Sequence, residues 1–485
     1  MHQLIHPVEI IDKAPDHPGL ILVPCFMDDN LSISWLPSKT YQGYVPEKNQ
    51  IFQIFLADQD LTVVLLGMGP DDHIATVFES FRSFMINHRK MITKDLLVDL
   101  RQLPDDLAYQ SVLGLTLSDY STGTYKTGKS SSVAFPKIQI LVDRFHPTLE
   151  TVVQEAGQTA EVVKRICALV DAPGNIKTPA FLGQWAVDSG KQFGYQVALL
   201  DYRELKAENL LALLAVGQGS INQPLLIKMQ YLHPDLDPAE THLGLVGKGV
   251  TFDTGGLSIK RATNMHYMKS DMGGAAAVMG AMELIARLKL PINVTAVIPV
   301  AENSVDANSI RPGDVIGSHS GKSIEVIDTD AEGRLILADG LSYMQQHYHP
   351  GILVDLATLT GNCVAALGYQ AAGLFTNSND LADRFTSAGE IAGERVWRLP
   401  LWDSYGDALH SDVADVKNLS GKPVAGAIAA AKFLEVFVEE APSWAHLDIA
   451  GVAFGDTAHA KMKSATGFGV RLLLEFVKSL ISTKL

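Results

Sequence analysis

Two glycine-bounded charged clusters, each placed where an apolar run ends, constrain this chain more than any other feature. Residues 243–252 read as a buried strand running into Gly247-Lys248-Gly249-Val250-Thr251-Phe252-Asp253. Residues 322–327 lead into Asp328-Thr329-Asp330-Ala331-Glu332-Gly333-Arg334-Leu335, and Asp271 lies between the clusters in Met268-Lys269-Ser270-Asp271-Met272-Gly273-Gly274. Open α/β sheets hold their ligands at strand ends, and glycine lets the backbone approach a ligand closely. For any single Asp–Lys neighbour a salt bridge is the simpler reading. Burying all of these acids and cations for stability alone, however, rarely offsets their desolvation. Asp253, Asp271, Asp330 and Glu332 together could neutralise two divalent ions, and a pair of ions about 3.5–4 Å apart needs bridging carboxylates. No His-Glu-x-x-His helix is present, so histidine ligation is not the expected mode.

The remaining pattern is an alternation of strands and helices. In the first part, residues 61–66 and 138–142 read as strands and residues 73–88 as a helix, which suggests a small α/β domain over 1–150. Residues 151–171 read as a helix connecting the domains, with Val152, Ala156, Ala160, Val163, Ile166 and Val170 near helical spacing and Pro173-Gly174 ending it. Residues 172–485 alternate again: helices at 274–290, 332–348 and 467–480, strands at 293–300, 352–357 and 445–452. The helix at 332–348 turns Leu337, Leu341, Met344 and Tyr348 inward.

Composition narrows the partners. The chain has 485 residues, 47% apolar and 19% charged, enough for two or three domains with large cores. A net charge of −15 without a long basic run disfavours nucleic acid. Residues 1–7 lack the basic and apolar regions of a signal peptide, and no apolar run approaches the roughly 20 residues of a membrane span. Cys25, Cys167 and Cys363 are far apart and read as three reduced thiols. A cytoplasmic protein is expected. Gly123-Thr124-Tyr125-Lys126-Thr127-Gly128-Lys129-Ser130 matches a phosphate-loop pattern by letter. That motif requires a preceding strand and a following helix, and Pro136 closes any helix within two turns. It is expected to be a loop.

At these residues the chain closely resembles the leucyl aminopeptidase (cytosol aminopeptidase) family of dinuclear metallopeptidases. The resemblance is carried by Thr329 to Leu335, by the block 247–256 continuing through Leu257-Ser258-Ile259-Lys260, by 268–276, by Asp355-Leu356-Ala357-Thr358-Leu359-Thr360-Gly361, and by Trp444-Ala445-His446-Leu447-Asp448-Ile449-Ala450-Gly451. It is specific from about residue 172 onward and looser upstream. It implies two α/β domains joined by a long helix: a smaller N-terminal mixed sheet flanked by helices, and a larger C-terminal mixed sheet sandwiched by helices and carrying the active site.

The resemblance further implies a ligand set. Lys248, Asp253, Asp271 and Glu332 would hold the tighter metal, and Asp253, Asp330 and Glu332 the exchangeable one, with Asp253 and Glu332 bridging. Manganese or zinc, with magnesium or cobalt as further candidates, would fill the pair. Lys260 would polarise the scissile carbonyl and stabilise the gem-diolate, and Arg334 would hold a bicarbonate acting as general base. Met268, Asp328, Ala331, Thr358 and Gly361 would line the substrate pocket. Asp328 departs from the asparagine usual in the family, and Arg261 stands where proline is common, at a loop expected to be exposed. The expected reaction is removal of an N-terminal residue, leucine-like by preference, from short peptides with a free N-terminus, by a homohexamer. The competing readings are a two-metal phosphoesterase and a nucleic-acid-binding regulator on an aminopeptidase scaffold. His266, His446 and Cys363 near these blocks are expected to be structural.

Overall fold

The computed structural model describes all residues except 1–7, 16–17, 28–32, 71–73, 102, 104, 128–134, 145–146, 240–241, 440–442 and 483–485. Residues 128–130 of the phosphate-loop lookalike therefore lie outside the described residues. Residues 123–127 before them form turns, with Lys126 N donating to Gly123 O, and the element preceding them is the helix Asp105–Leu117 rather than a strand.

The chain divides into two compact units, residues 1–164 with 458–461, and residues 165–457 with 462–485. The first is built on a six-stranded sheet in the order Val8–Ile11, Ile138–Leu141, Leu96–Asp99, Leu20–Phe26, Leu61–Gly69, Ile51–Leu56. Every neighbouring pair is parallel except the last, which is antiparallel. Leu61–Gly69 is buried on both faces, as a strand covered on both sides must be. Helices Ile74–His88 and Asp105–Leu117 pack on one another, where Gly114 comes so close that a Cβ would stand 2.5 Å from Phe78 O.

The boundary between the units falls inside the helix Pro147–Asp171, which begins earlier than its apolar spacing suggests and stops before the predicted Pro173-Gly174. The second unit carries a mixed sheet whose central strands Trp444–Asp448, Ile352–Ala357, Leu243–Gly247 and Val294–Asn303 run parallel. Leu225–Tyr231 and then Gln196–Leu200 extend one side antiparallel; Ala372–Thr376 and Val396–Arg398 complete the other. This is the α/β architecture expected, with helices on the sheet's faces.

Two helices position the site. Gly273–Leu288 is buried around its whole circumference through Ala286, as a helix enclosed between layers must be. Its glycine start is compulsory: a Cβ on Gly274 would stand 2.1 Å from Leu356 O. Glu332–Tyr348 has the bounds its sequence pattern predicts and is buried from Glu332 to Gln345. The strand expected over 243–252 is in fact two, Leu243–Gly247 and Gly249–Asp253, interrupted at Lys248. There Lys248 N donates to Leu356 O and Lys248 O accepts from Ala275 N, so the chain steps from one neighbour to another.

Candidate metal centre

The parallel strands end together, and their ends assemble the charged residues. Asp253 terminates Gly249–Asp253 opposite Asn303, which terminates Val294–Asn303. Its Oδ1 accepts from Gly255 N and Asn303 Nδ2, each at 2.8 Å. Gly255 and Gly256 hold positive φ, 86° and 64°, and a side chain on Gly255 would meet Asp330 Oδ1 at 2.7 Å. Glu332 opens the helix Glu332–Tyr348, and Asp271 follows the short 3-10 turn Met265–Ser270.

Carboxylate oxygens of Asp253, Asp330 and Glu332 lie within 4.8 Å of one another. Asp271 joins through Lys248, whose Nζ is 2.7 Å from Asp271 Oδ2, 3.0 Å from Glu332 Oε1, and donates to Thr358 O at 2.9 Å. Lys260 Nζ is 2.8 Å from Asp253 Oδ2 and 2.5 Å from Asp330 Oδ1. The four acids thus converge with two ammonium groups among them. Lys248, Asp253 and Glu332 are at most 3% exposed.

Burial in so charged a pocket shifts several of its titratable groups. Burial, reinforced for Glu332 by the Asp253 charge, pushes the Asp271 and Glu332 carboxyls above the usual carboxylate range. Asp330 moves the same way for the same reasons. Burial opposes the Lys248 and Lys260 ammoniums, but their carboxylate neighbours outweigh it and hold both above the ordinary lysine range. Two lysines offset half of the formal charge of four carboxylates, and a metal held by Lys248 as a neutral amine would release its proton, leaving three formal negative charges for divalent cations to offset. Glu332 Oε2 is buried without a hydrogen-bond partner, an expense proteins seldom leave uncompensated. The donor set, carboxylate oxygens and one amine, fits hard or borderline divalent ions.

Arg334 enters the site within the first turn of the same helix, 5% exposed, with Nη1 donating to Asn418 O at 2.9 Å and Nε buried without a partner. Burial pulls its guanidinium down to about 10, still charged at neutral pH. A buried cationic donor lacking an acceptor fits a small anion.

Of the residues expected at the pocket, Thr358 belongs to the cluster, donating from Oγ1 to Asp271 Oδ1 at 2.8 Å. Ala331 is buried between two of the acids, and Met268 is half-buried with its carbonyl accepting from Asp271 N. Asp328 is half-buried and folds back so that its Oδ1 accepts from Asp330 N at 2.9 Å. Gly361 is exposed at the start of the helix Gly361–Leu367, with open space where a Cβ would stand, and takes no part in these hydrogen bonds. Arg261 and His266 are exposed. His446 is fully buried with Nδ1 2.6 Å from Asp355 Oδ1, and Cys363 is buried against Asp448 O.

Sequence reasoning missed the residues that orient the cluster. Asn303 ties Asp253 to Thr329 O, and Asn418 accepts from Ile327 N while donating to Asp328 O. A separate cavity of about 930 Å³ opens where Leu243–Gly247 and Ile352–Ala357 begin, at the opposite ends of those strands from the acids. Its described lining includes Leu236, Ile292, Tyr348 and Leu480 and no carboxylate, so it is not the metal centre.

Comparison with known proteins identifies the family. Residues 165–474 match the cytosol aminopeptidase family, catalytic domain. A probable cytosol aminopeptidase of Chlorobium limicola is 41% identical over 85% of both chains, and one of Geobacter sulfurreducens is 43% identical over 76% of this chain and 74% of its own. The bottromycin maturation enzyme BotP, solved in complex with Mn, superposes with a TM-score of 0.84 at 33% identity, covering 96% of this chain and 99% of that one. A fold, a buried carboxylate–lysine centre and relatives spanning most of the length converge: the chain belongs to the cytosol aminopeptidase family and is a metallo-aminopeptidase.

Proposed function

We propose that this enzyme is a leucyl aminopeptidase with two divalent ions per chain, removing leucine and other apolar residues from the free N-terminus of short peptides. The observation that carries the reading is the convergence of Asp253, Asp330 and Glu332 oxygens within 4.8 Å, with Asp271 and Lys248 against them. Lys248, Asp253, Asp271 and Glu332 would hold one ion, and Asp253, Asp330 and Glu332 the other. When bound, such a pair would acidify a water and polarise the peptide carbonyl. Manganese and zinc are the proposed metals, manganese because the similar BotP was solved with Mn. Magnesium and cobalt suit the same donors.

Lys260, ion-paired to Asp253 and Asp330, would stabilise negative charge developing on the carbonyl oxygen. Arg334 presents an unpartnered buried Nε–H, suited to hold bicarbonate as the base that takes the water's proton. Met268, Asp328, Ala331, Thr358 and Gly361 would shape the pocket for the departing residue. The exposed Gly361, open where a Cβ would stand, leaves room for a side chain.

We assign the protein to the cytoplasm, in keeping with relatives named cytosol aminopeptidases, and to a homohexamer. No helix among the described residues is long and apolar enough to cross a membrane. The net charge of −15 opposes a nucleic-acid partner. The deciding assay supplies manganese and compares leucyl-p-nitroanilide with p-nitrophenyl phosphate. Cleavage of the amide alone supports the reading, and cleavage of the phosphate ester alone overturns it.

A further inference from the structure

A second group of metal-ligating side chains lies apart from the carboxylate centre, and nothing in the aminopeptidase reaction uses it. Glu208 caps the C-terminus of the helix Tyr202–Ala207, His319 sits in the loop after the strand Val315–Ile316, and His347 stands in the last turn of Glu332–Tyr348. One ligand atom from each lies within 4.8 Å of the others. His347 Nε2 is 3.3 Å from Glu208 Oε2. Ligands bound tetrahedrally at about 2.0–2.1 Å stand about 3.3 Å apart, so this pair already has the separation a shared ion imposes.

The histidines are held rather than free to swing. His319 N donates to Asp339 Oδ1 at 2.8 Å, and its Nδ1 is 2.9 Å from Ser342 Oγ. That leaves Nε2 as the ring nitrogen for a ligand, the arrangement in which an outer partner fixes the orientation of a metal-bound imidazole. The His347 ring stacks on Tyr343, one turn earlier, with centroids 4.0 Å apart and an interplanar angle of 26°. Asp339, Ser342, Tyr343 and His347 share one face of one helix. That rigid element sets both imidazoles against a carboxylate from another.

The chemistry separates the two sites. The carboxylate centre offers oxygens and an amine, whereas this one offers two imidazoles and one carboxylate, a set that favours zinc and copper over magnesium or calcium. Glu332 and His347 are at opposite ends of the same helix, about 22 Å apart at a rise of about 1.5 Å per residue. Glu208 and His347 are 41% and 38% exposed, so an ion can enter from solvent and keep water on its remaining position.

We propose that Glu208, His319 and His347 form a further metal site for a zinc- or copper-class divalent ion, independent of the catalytic pair. It ties the end of Glu332–Tyr348 to the 315–319 loop and to the cap of Tyr202–Ala207.

The test uses the full-length enzyme and Zn²⁺ alone. Equilibrium dialysis with metal analysis compares wild type, His347→Gln and Glu208→Gln, both exposed positions whose folding is checked by circular dichroism. Each variant should bind one zinc fewer than wild type, or bind it weaker than the roughly 10–100-fold loss caused by removing an outer partner, while hydrolysis of leucyl-p-nitroanilide persists. Cu²⁺ added to an Asp253→Asn background should give pulsed electron paramagnetic resonance with imidazole nitrogen coupling, abolished by His319→Ala together with His347→Gln. Equal zinc counts in wild type and both variants overturn the site. Imidazole coupling that survives loss of both histidines identifies an adventitious ion only, and does the same.

Discussion

At the scale of single residues, the centre is organised by groups that present charge and groups that aim it. Asp253 does both, since Oδ1 is saturated by Gly255 N and Asn303 Nδ2 while Oδ2 faces Lys260. Asp253→Asn keeps the shape and an acceptor for those donors but removes the charge that would face the proposed ions. Metal analysis should show fewer than two ions per chain, and a variant retaining both would refute a bridging role. Lys260→Ala removes a cation that two of the acids share, so metal should be retained. Turnover should drop by about 10²–10³-fold, the usual cost of losing one donor to a developing oxyanion, with KM for leucyl-p-nitroanilide little changed. An unaltered kcat would remove Lys260 from the chemistry. The acids and Lys248 were legible in sequence because glycines stand among them, whereas Lys260 was singled out only by the family resemblance. Asn303 and Asn418 were not, because each reaches partners 50 and about 90 positions away through pairings that only the assembled sheet creates.

Among elements, those with a strong period were readable and those set by neighbours were not. Glu332–Tyr348 and Ile352–Ala357 have the bounds their patterns predict. The interruption at Lys248, between Gly247 and Gly249, was read through as one strand, because the break is set by hydrogen bonds to Leu356 O and from Ala275 N that only the assembled neighbours provide. Gly273–Leu288 was expected over 274–290 from its apolar period, but its glycine start is explained only by the approach of Leu356. Trp444–Asp448 supplies a case with a pH consequence. Its His446 and Trp444 both engage Asp355 on the adjacent strand, through Nδ1 and Nε1. Burial opposes the imidazolium, but the Asp355 charge and hydrogen bond outweigh it, raising His446 above the ordinary histidine range. A raised folded-state pKa means the stabilisation is fully present below about 6.5 and is lost as pH rises through the folded value. Urea midpoints measured from pH 5.5 to 9 should therefore fall with pH by more in wild type than in His446→Gln. Parallel profiles would show that the pair does not titrate with folding.

For the whole molecule, the question is where metal binding is felt. The first unit has its own core, with Leu22, Val63, Leu65 and Val98 at most 1% exposed, whereas every candidate ligand lies in the second. Without ions, four carboxylates share two lysines, and the strand ends at Asp253 and Asn303, the 265–270 turn and the start of Glu332–Tyr348 must hold the remaining repulsion by those ion pairs and hydrogen bonds. Ions that bind only the folded centre stabilise it by mass action, about 2.7 kcal/mol for each site at a hundredfold excess over its Kd. Hydrogen exchange of the manganese-loaded enzyme before and after EDTA reads this directly. Protection should fall in segments 247–260, 268–274 and 328–336, while the sheet strands Leu20–Phe26 and Leu61–Gly69 exchange unchanged. Loss of protection spread evenly over both units would mean that the ions act on global stability rather than on the strand ends. No change anywhere would mean that the acids at 253, 271, 330 and 332 do not hold metal in the folded enzyme. The exchange pattern thus tests the location of the centre without relying on turnover.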